Sequence, residues 1–420
     1  MGSAVVGAAV LCTAALLPGR VAYAAGTPSP YAFAPDTPSV TGATSTVDAA
    51  PLEVGRTYRS SLPASSKLYY GLTLDDTSNV YVSVTAVPRA RTKVSPTAGI
   101  RVLLQNADER SCSAKTTYVG RSPRPIVAWG ARETFSPRAL CKGGGTYYVV
   151  VERLDGTEAS PDDWELELAP VSEPGLKQDG GTSPPEDWDS ASPEPLTSKA
   201  VRRPGGAGFD EAARVGQGAW SSGIEPGQTL FYAVPVDWGR QLEATAELGS
   251  ATGDSGAVSN ALTMSLYNPA RMPVAEVVLL YSGTQKAKSF NALPPVDYEN
   301  RYATADRARA ALRFAGSYYL VLHLSERVAE KYGDGPFEVT LRVRVRGTSE
   351  AAPGYSGPSD PQGLFEVPAQ DRATAPEGGG GVGDDAVLTV VAAAGIGAGT
   401  LLLAVLGAWS VVARRRAGAR

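Results

Sequence analysis

Histidine is nearly absent from this chain: His323 is the only one in 420 residues. That count excludes zinc centres built on two or more imidazoles. Lysine is also scarce, at 9 residues against 30 arginines. Long helical periods are missing throughout, so a helical bundle is excluded as the main architecture. Cysteine occurs three times, too few for a disulfide-dense scaffold. Glycine (46) and proline (32) are abundant, which points to many turns and long connections between short strands.

The two ends have their own compositions. Residues 1–24 carry no acidic residue, an apolar run from Ala4 to Leu17, and then Ala22-Tyr23-Ala24, the small-x-small pattern of a signal-peptidase site. Residues 386–413 are uncharged and are followed by Arg414-Arg415-Arg416. The run is long enough for a transmembrane helix, and the arginines place the C-terminus, residues 414–420, in the cytoplasm. The expected location is therefore the cell membrane, single-pass, with an extracellular ectodomain. Gly395 and Gly399 make a GxxxG spacing that allows two such helices to pair as a homodimer. Between the ends, 34 basic residues face 43 acidic ones, a net charge of −9. Such a surface does not seek nucleic acid.

Cys12 falls within the apolar leader, which leaves Cys112 and Cys141. In an oxidising compartment two cysteines most simply form one structural disulfide. A metal pair is the weaker reading, because the single histidine lies far along the chain.

The interior repeats itself. Gly145-Thr146-Tyr147-Tyr148-Val149-Val150-Val151 returns as Gly316-Ser317-Tyr318-Tyr319-Leu320-Val321-Leu322. Leu68-Tyr69-Tyr70-Gly71-Leu72 returns as Leu230-Phe231-Tyr232-Ala233-Val234, and Ile100 to Asn106 returns as Leu262 to Asn268. Each is a β-branched and aromatic strand pattern entered from a turn. Val80 to Thr85 alternates strictly. Trp164-Glu165-Leu166-Glu167-Leu168, echoed by Phe337 to Leu341, has the Trp and Leu residues facing in and the glutamates facing out. The expected organisation is all-β: two tandem antiparallel β-sandwiches, jelly-roll-like, over residues 51–170 and 209–346, plus one C-terminal transmembrane helix. A flexible lead-in (25–50), a Pro/Ser/acidic linker (171–208) and a flexible stalk (347–385) complete the ectodomain.

The order of these elements, with its Leu-Tyr-Tyr or Leu-Phe-Tyr strand, Gly-Thr/Ser-Tyr-Tyr strand and final Trp/Phe strand, resembles the bacterial pre-peptidase C-terminal domain in both repeats. The resemblance implies small, non-catalytic β-sandwiches, and the whole chain resembles an actinobacterial cell-surface protein.

Gly253-Asp254-Ser255-Gly256-Ala257 looks like a trypsin-like nucleophile loop, but that mechanism needs a His base. His323 follows the serine where that arrangement places it before. An aspartic-protease reading of Asp254-Ser255-Gly256 needs a second Asp-Ser/Thr-Gly, which the sequence lacks. A loop tip is the expectation. His323 occupies a position where the first repeat has Glu152, which predicts a side chain facing water. Asp162, Asp163 and Asp334 lie in matching loops without calcium-loop spacing. No catalytic, cofactor or metal residue is assigned. Trp188, in the acidic linker, is expected to dock on a neighbouring domain or on a partner.

These features favour a non-catalytic, membrane-anchored binding or accessory module whose partner is another surface or membrane protein, or cell-wall glycan. A structural spacer is the alternative, and a hydrolase the least favoured reading.

Overall fold

The computed structural model describes residues 31–371, apart from 90, 91, 93, 137, 138, 156–160, 179, 192–195, 254, 255 and 370. The leader, the 386–413 run with Gly395 and Gly399, the tail, and Asp254 and Ser255 lie outside the described residues. Among the described residues no helix is long and apolar enough to cross a membrane.

Nineteen strands form four sheets among the described residues. In the first sandwich β1 (Ala50–Leu52), β3 (Lys67–Leu74), β8 (Gly145–Leu154), β5 (Gly99–Asn106) and β6 (Ser111–Tyr118) lie side by side in that order. They face a sheet of β2 (Tyr58–Leu62), β9 (Trp164–Pro174), β4 (Ser78–Val87) and β7 (Ile126–Arg132). The second sandwich repeats the order. Its first sheet runs β11 (Ala213–Arg214), β13 (Thr229–Val236), β18 (Gly316–Leu324), β15 (Val258–Tyr267), β16 (Pro273–Tyr281). Its second runs β10 (Val201–Arg202), β12 (Gly218–Ile224), β19 (Phe337–Arg346), β14 (Gln241–Leu248), β17 (Lys286–Ser289). The sequence repeat is thus a repeat of topology. The pairing departs from a purely antiparallel arrangement in one respect: short β1, β10 and β11 pair in parallel with β3, β12 and β13.

Each sandwich is held by its own core, with Trp164, Tyr70 and Leu62 in the first and Tyr232, Tyr281 and Tyr318 in the second. Cys112 on β6 is disulfide-bonded to Cys141 in the loop before β8, with Cα atoms 5.2 Å apart.

The outer faces of two sheets meet, and this overturns several expectations drawn from alternation. On β4, β7 and β9 the outward residues Tyr81, Ala131 and Val171 pack against Ala270, Met272 and Phe314 of the second sandwich. Alongside them Val127 meets Phe231, Tyr267 and Val321 from β13, β15 and β18. β4 is therefore buried on both faces rather than one. Glu167, expected to face out, is buried, whereas Glu165 stays at the surface, paired with Arg59.

The stretches read as flexible also contribute to this joint. From the lead-in, the Tyr31 hydroxyl donates to Glu167 at 2.6 Å, and its ring meets Phe231 edge-on. Beyond β19 the chain returns across both sandwiches as a strap: Phe365 is 1% exposed and stacks on Phe314 at 4.3 Å. Ser172 and Asp360 exchange backbone hydrogen bonds. Low-complexity composition concealed these anchors, because one aromatic among small polar residues leaves no periodic signal.

Candidate functional site

The joint is an ionic and aromatic assembly. Glu173, at the end of β9, is fully buried. Its Oε1 accepts from Arg301 Nη2 at 2.5 Å and from the Tyr355 hydroxyl of the strap at 3.1 Å. Its Oε2 accepts from Asn79 Nδ2 and the Tyr81 hydroxyl, both at 2.9 Å. Burial alone would raise this carboxyl, but the Arg301 guanidinium and the hydrogen bonds outweigh it and hold the group below the usual carboxylate range. One carboxylate thus ties together β9, β4, the 298–302 turn of the second sandwich, and the strap.

Glu167 is the second node. Its Oε2 accepts from Arg271 Nη1 at 2.6 Å and from Tyr31, while Arg271 Nη2 reaches Asp210 at 2.5 Å. Its other oxygen has no protein partner. Burial therefore prevails over Arg271 here, and the carboxyl is raised. Arg313, buried beside the Tyr81 and Phe314 rings, pairs with Glu133 at 2.6 Å.

His323 corrects the expectation of a water-facing residue. It is 2% exposed at the joint, where Nδ1 and Nε2 share hydrogen bonds with Thr229 Oγ1 (3.0 Å) and with Ser122 Oγ of the other sandwich (2.9 Å). The equivalence with Glu152 could not show that the other sandwich covers this face. Burial, then Arg124, lowers its pKa to about 3. Because the folded value lies below the unfolded value near 6.5, the folded protein resists protonation that the unfolded chain accepts. His323 therefore causes stability to fall as pH drops from about 6.5 toward 3. His323→Gln is expected to flatten the difference in unfolding free energy between pH 7.5 and 5.5. Parallel dependence in the two proteins, measured by urea titration, would contradict this.

Trp188 is half-buried in a linker that lies along the second sandwich. Its neighbour Asp189 is held by Arg346 (2.9 Å), and the Asp189 carbonyl accepts from Gln241 Nε2 (3.1 Å). Asp162 pairs with Arg89 at 3.1 Å and Asp163 accepts from Ser61, so both acidic side chains have protein partners. Asp334 is exposed. Among the described residues no three His, Cys, Asp or Glu side chains gather in a metal-holding group.

Two of the clefts among the described residues are roomy and open. One, of about 480 Å³, lies between the linker and the second sandwich, with Trp238, Tyr298, Asp297, Glu299 and Glu350 along it. Partial burial, then hydrogen bonding with Glu299, raises the Asp297 carboxyl to about 6. The other, of about 660 Å³, belongs to the first sandwich. It runs beside β1, along the ends of β3 and β8, and is closed by Ser172 and by Asp360 of the strap. Sequence reasoning missed this groove; a signal was available in Gly71, a glycine inside a strand pattern.

No family model matches the chain, and no curated protein matches it. Among solved structures it is similar to the CUB1-EGF-CUB2 domain of human MASP-1/3, at 8% identity over 69% of this chain and 99% of that one, with a TM-score of 0.18. It is similar to the CBM22-1-CBM22-2 tandem domain of Paenibacillus barcinonensis Xyn10C, at 10% identity over 66% and 82%, TM-score 0.18. A third is the M60 catalytic domain with CBM51-1 and CBM51-2 from Clostridium perfringens ZmpB, at 10% identity over 68% and 34%, TM-score 0.17. Scores this low mean that the chains do not superpose as wholes, and no activity follows from them.

Proposed function

We propose that this chain is a non-catalytic, extracellular binding or accessory module, exported by residues 1–24 and anchored by residues 386–413, with the option of pairing through Gly395 and Gly399. It displays its two sandwiches to another surface protein, to wall glycan or to a membrane complex. The observation that carries the reading is the joint. A flexible tether suffices to hold two domains near a membrane, whereas buried Glu173, Glu167 and His323 fix their relative orientation. A fixed orientation makes grooves and faces on both sandwiches into one preorganised surface, which lowers the entropic cost of binding.

The test is crosslinking in intact cells of the tagged full-length protein, with mass spectrometry of captured species, against a chain lacking residues 51–346. A reproducible partner that disappears in the deleted chain is the expected result. Identical captures from the two, together with normal function when unrelated sandwiches replace both domains, would leave a spacer instead.

A further inference from the structure

The groove on the first sandwich has a floor whose composition nothing in the fold demands. Gly71 sits inside β3, directly opposite Tyr148 of β8, and both line the groove. Glycine weakens a strand interior and commonly marks a bulge or a place where something approaches the backbone closely. Here Gly71 has no positive φ and its pairing to β8 is continuous. An added Cβ would meet only the carbonyl oxygens of Ala49 and Ala50, at 3.6 and 3.9 Å, which is ordinary contact. Neither conformation nor crowding explains the glycine. Opposite residues on one sheet face touch through their side chains, so the missing side chain leaves the half-buried Tyr148 ring uncovered on the groove floor.

The walls are hydroxylic and acidic. Thr46, Thr73, Thr146 and Ser172 contribute hydroxyls, and Asp360 and Glu53, the latter paired with Arg56 at 3.5 Å, contribute carboxylates. Asp75 lines the groove too, but its oxygens already accept from Thr77, Ser78 N–H and the Ser78 hydroxyl. Among the described residues no lysine or arginine lines the groove. An open aromatic ring offers an apolar platform, carboxylates accept strong charge-assisted hydrogen bonds from O–H donors, and hydroxyls both donate and accept. With carboxylates on the lining and the nearby Arg56 already paired with Glu53, the groove disfavours phosphates and uronic acids. A lone tyrosine gives no aromatic cage for a quaternary ammonium.

We infer that this groove binds a neutral glycan, with a sugar ring stacked on Tyr148 over Gly71 and its hydroxyls held by the threonine and carboxylate rim. Its volume of about 660 Å³ lies within the usual range of small-ligand sites and accommodates a short oligosaccharide. This site rests on the reading of the chain as a binding module and names one ligand for it. The lead-in and the sheet form most of the groove, and Asp360 of the strap completes its rim.

The test uses the purified full-length protein in detergent on an array of neutral hexose and N-acetylhexosamine oligosaccharides, with uronic-acid oligosaccharides and a lysine-rich peptide as comparison arms. The protein is expected to bind a subset of the neutral oligosaccharides, with little change between 50 mM and 500 mM salt. Gly71→Val, which fills the floor, and Thr73→Arg, which blocks the rim from an exposed position, are each expected to cut affinity at least tenfold with an unchanged circular dichroism spectrum. Should Gly71→Val disturb folding, Thr73→Arg alone decides. Absence of neutral-oligosaccharide binding at millimolar concentration, binding unaffected by Thr73→Arg, or salt-sensitive preference for the lysine-rich peptide would each overturn the inference. A cellular protein partner captured equally by wild type and Thr73→Arg, with no glycan bound, would remove the glycan groove while leaving the module reading intact.

Discussion

Glu173→Ala is expected to lower the unfolding free energy by about 3–5 kcal/mol, the range for removing one member of a buried ion pair. The substitution leaves Arg301 buried without its carboxylate and deprives Asn79, Tyr81 and Tyr355 of their acceptor. Glu173→Gln keeps the shape but not the charge, so it too should be costly. Glu167→Gln should cost much less. Burial already disfavours ionisation of Glu167, an amide oxygen still accepts from Tyr31, and Arg271 retains Asp210. Urea titration of the three variants checks the ranking, and equal losses for Glu167→Gln and Glu173→Gln would contradict it. The two carboxylates also carry opposite pH dependences. The depressed Glu173 group contributes stability above its unfolded value near 4.5 that is lost as pH falls through its folded value. The raised Glu167 group costs stability when ionised, and that cost disappears as pH falls through its own raised value.

The second large effect belongs to the disulfide. Cys112 and Cys141 are separated by 29 positions, and opening a loop of that size should cost about 3–4 kcal/mol on the chain-entropy model. The paired Cys112→Ser, Cys141→Ser protein is expected to show that loss with the joint intact, since neither sulfur lies between the sandwiches. The disulfide itself is checked by mass spectrometry of the non-reduced protein, where free thiols at both positions would contradict it. A double variant as stable as wild type would show that the 112–141 loop stays closed without the bond.

Much of the architecture was legible in the sequence, because strands announce themselves by period and composition. The Tyr147-Tyr148 and Tyr318-Tyr319 patterns became β8 and β18, each the central strand of its five-stranded sheet, beside β3 and β13. What period cannot convey is what lies beyond a strand's outer face. Glu167, by alternation, and His323, by its equivalence with Glu152, were expected to face water, yet both are buried because the two outer faces cover each other. Polar residues there read as solvent-facing for a sound local reason, and only their partners, over 100 positions away in sequence, reverse it. Tyr31, Tyr355 and Phe365 were hidden differently, as single anchors in stretches too poor in apolar residues to suggest order. The first-sandwich groove was hidden because it is made by an omission, the side chain Gly71 does not have, and by a strap residue, Asp360, that lies far along the chain.

The central claim is that the joint makes one unit of the two sandwiches, which is what gives the module a single preorganised surface. Differential scanning calorimetry of the purified protein tests it most directly. The account predicts one transition whose calorimetric and van't Hoff enthalpies agree, because Glu173, Glu167, His323 and the strap couple the two cores. Two resolved transitions, or a calorimetric enthalpy about twice the van't Hoff value, would show two independently melting domains and contradict it.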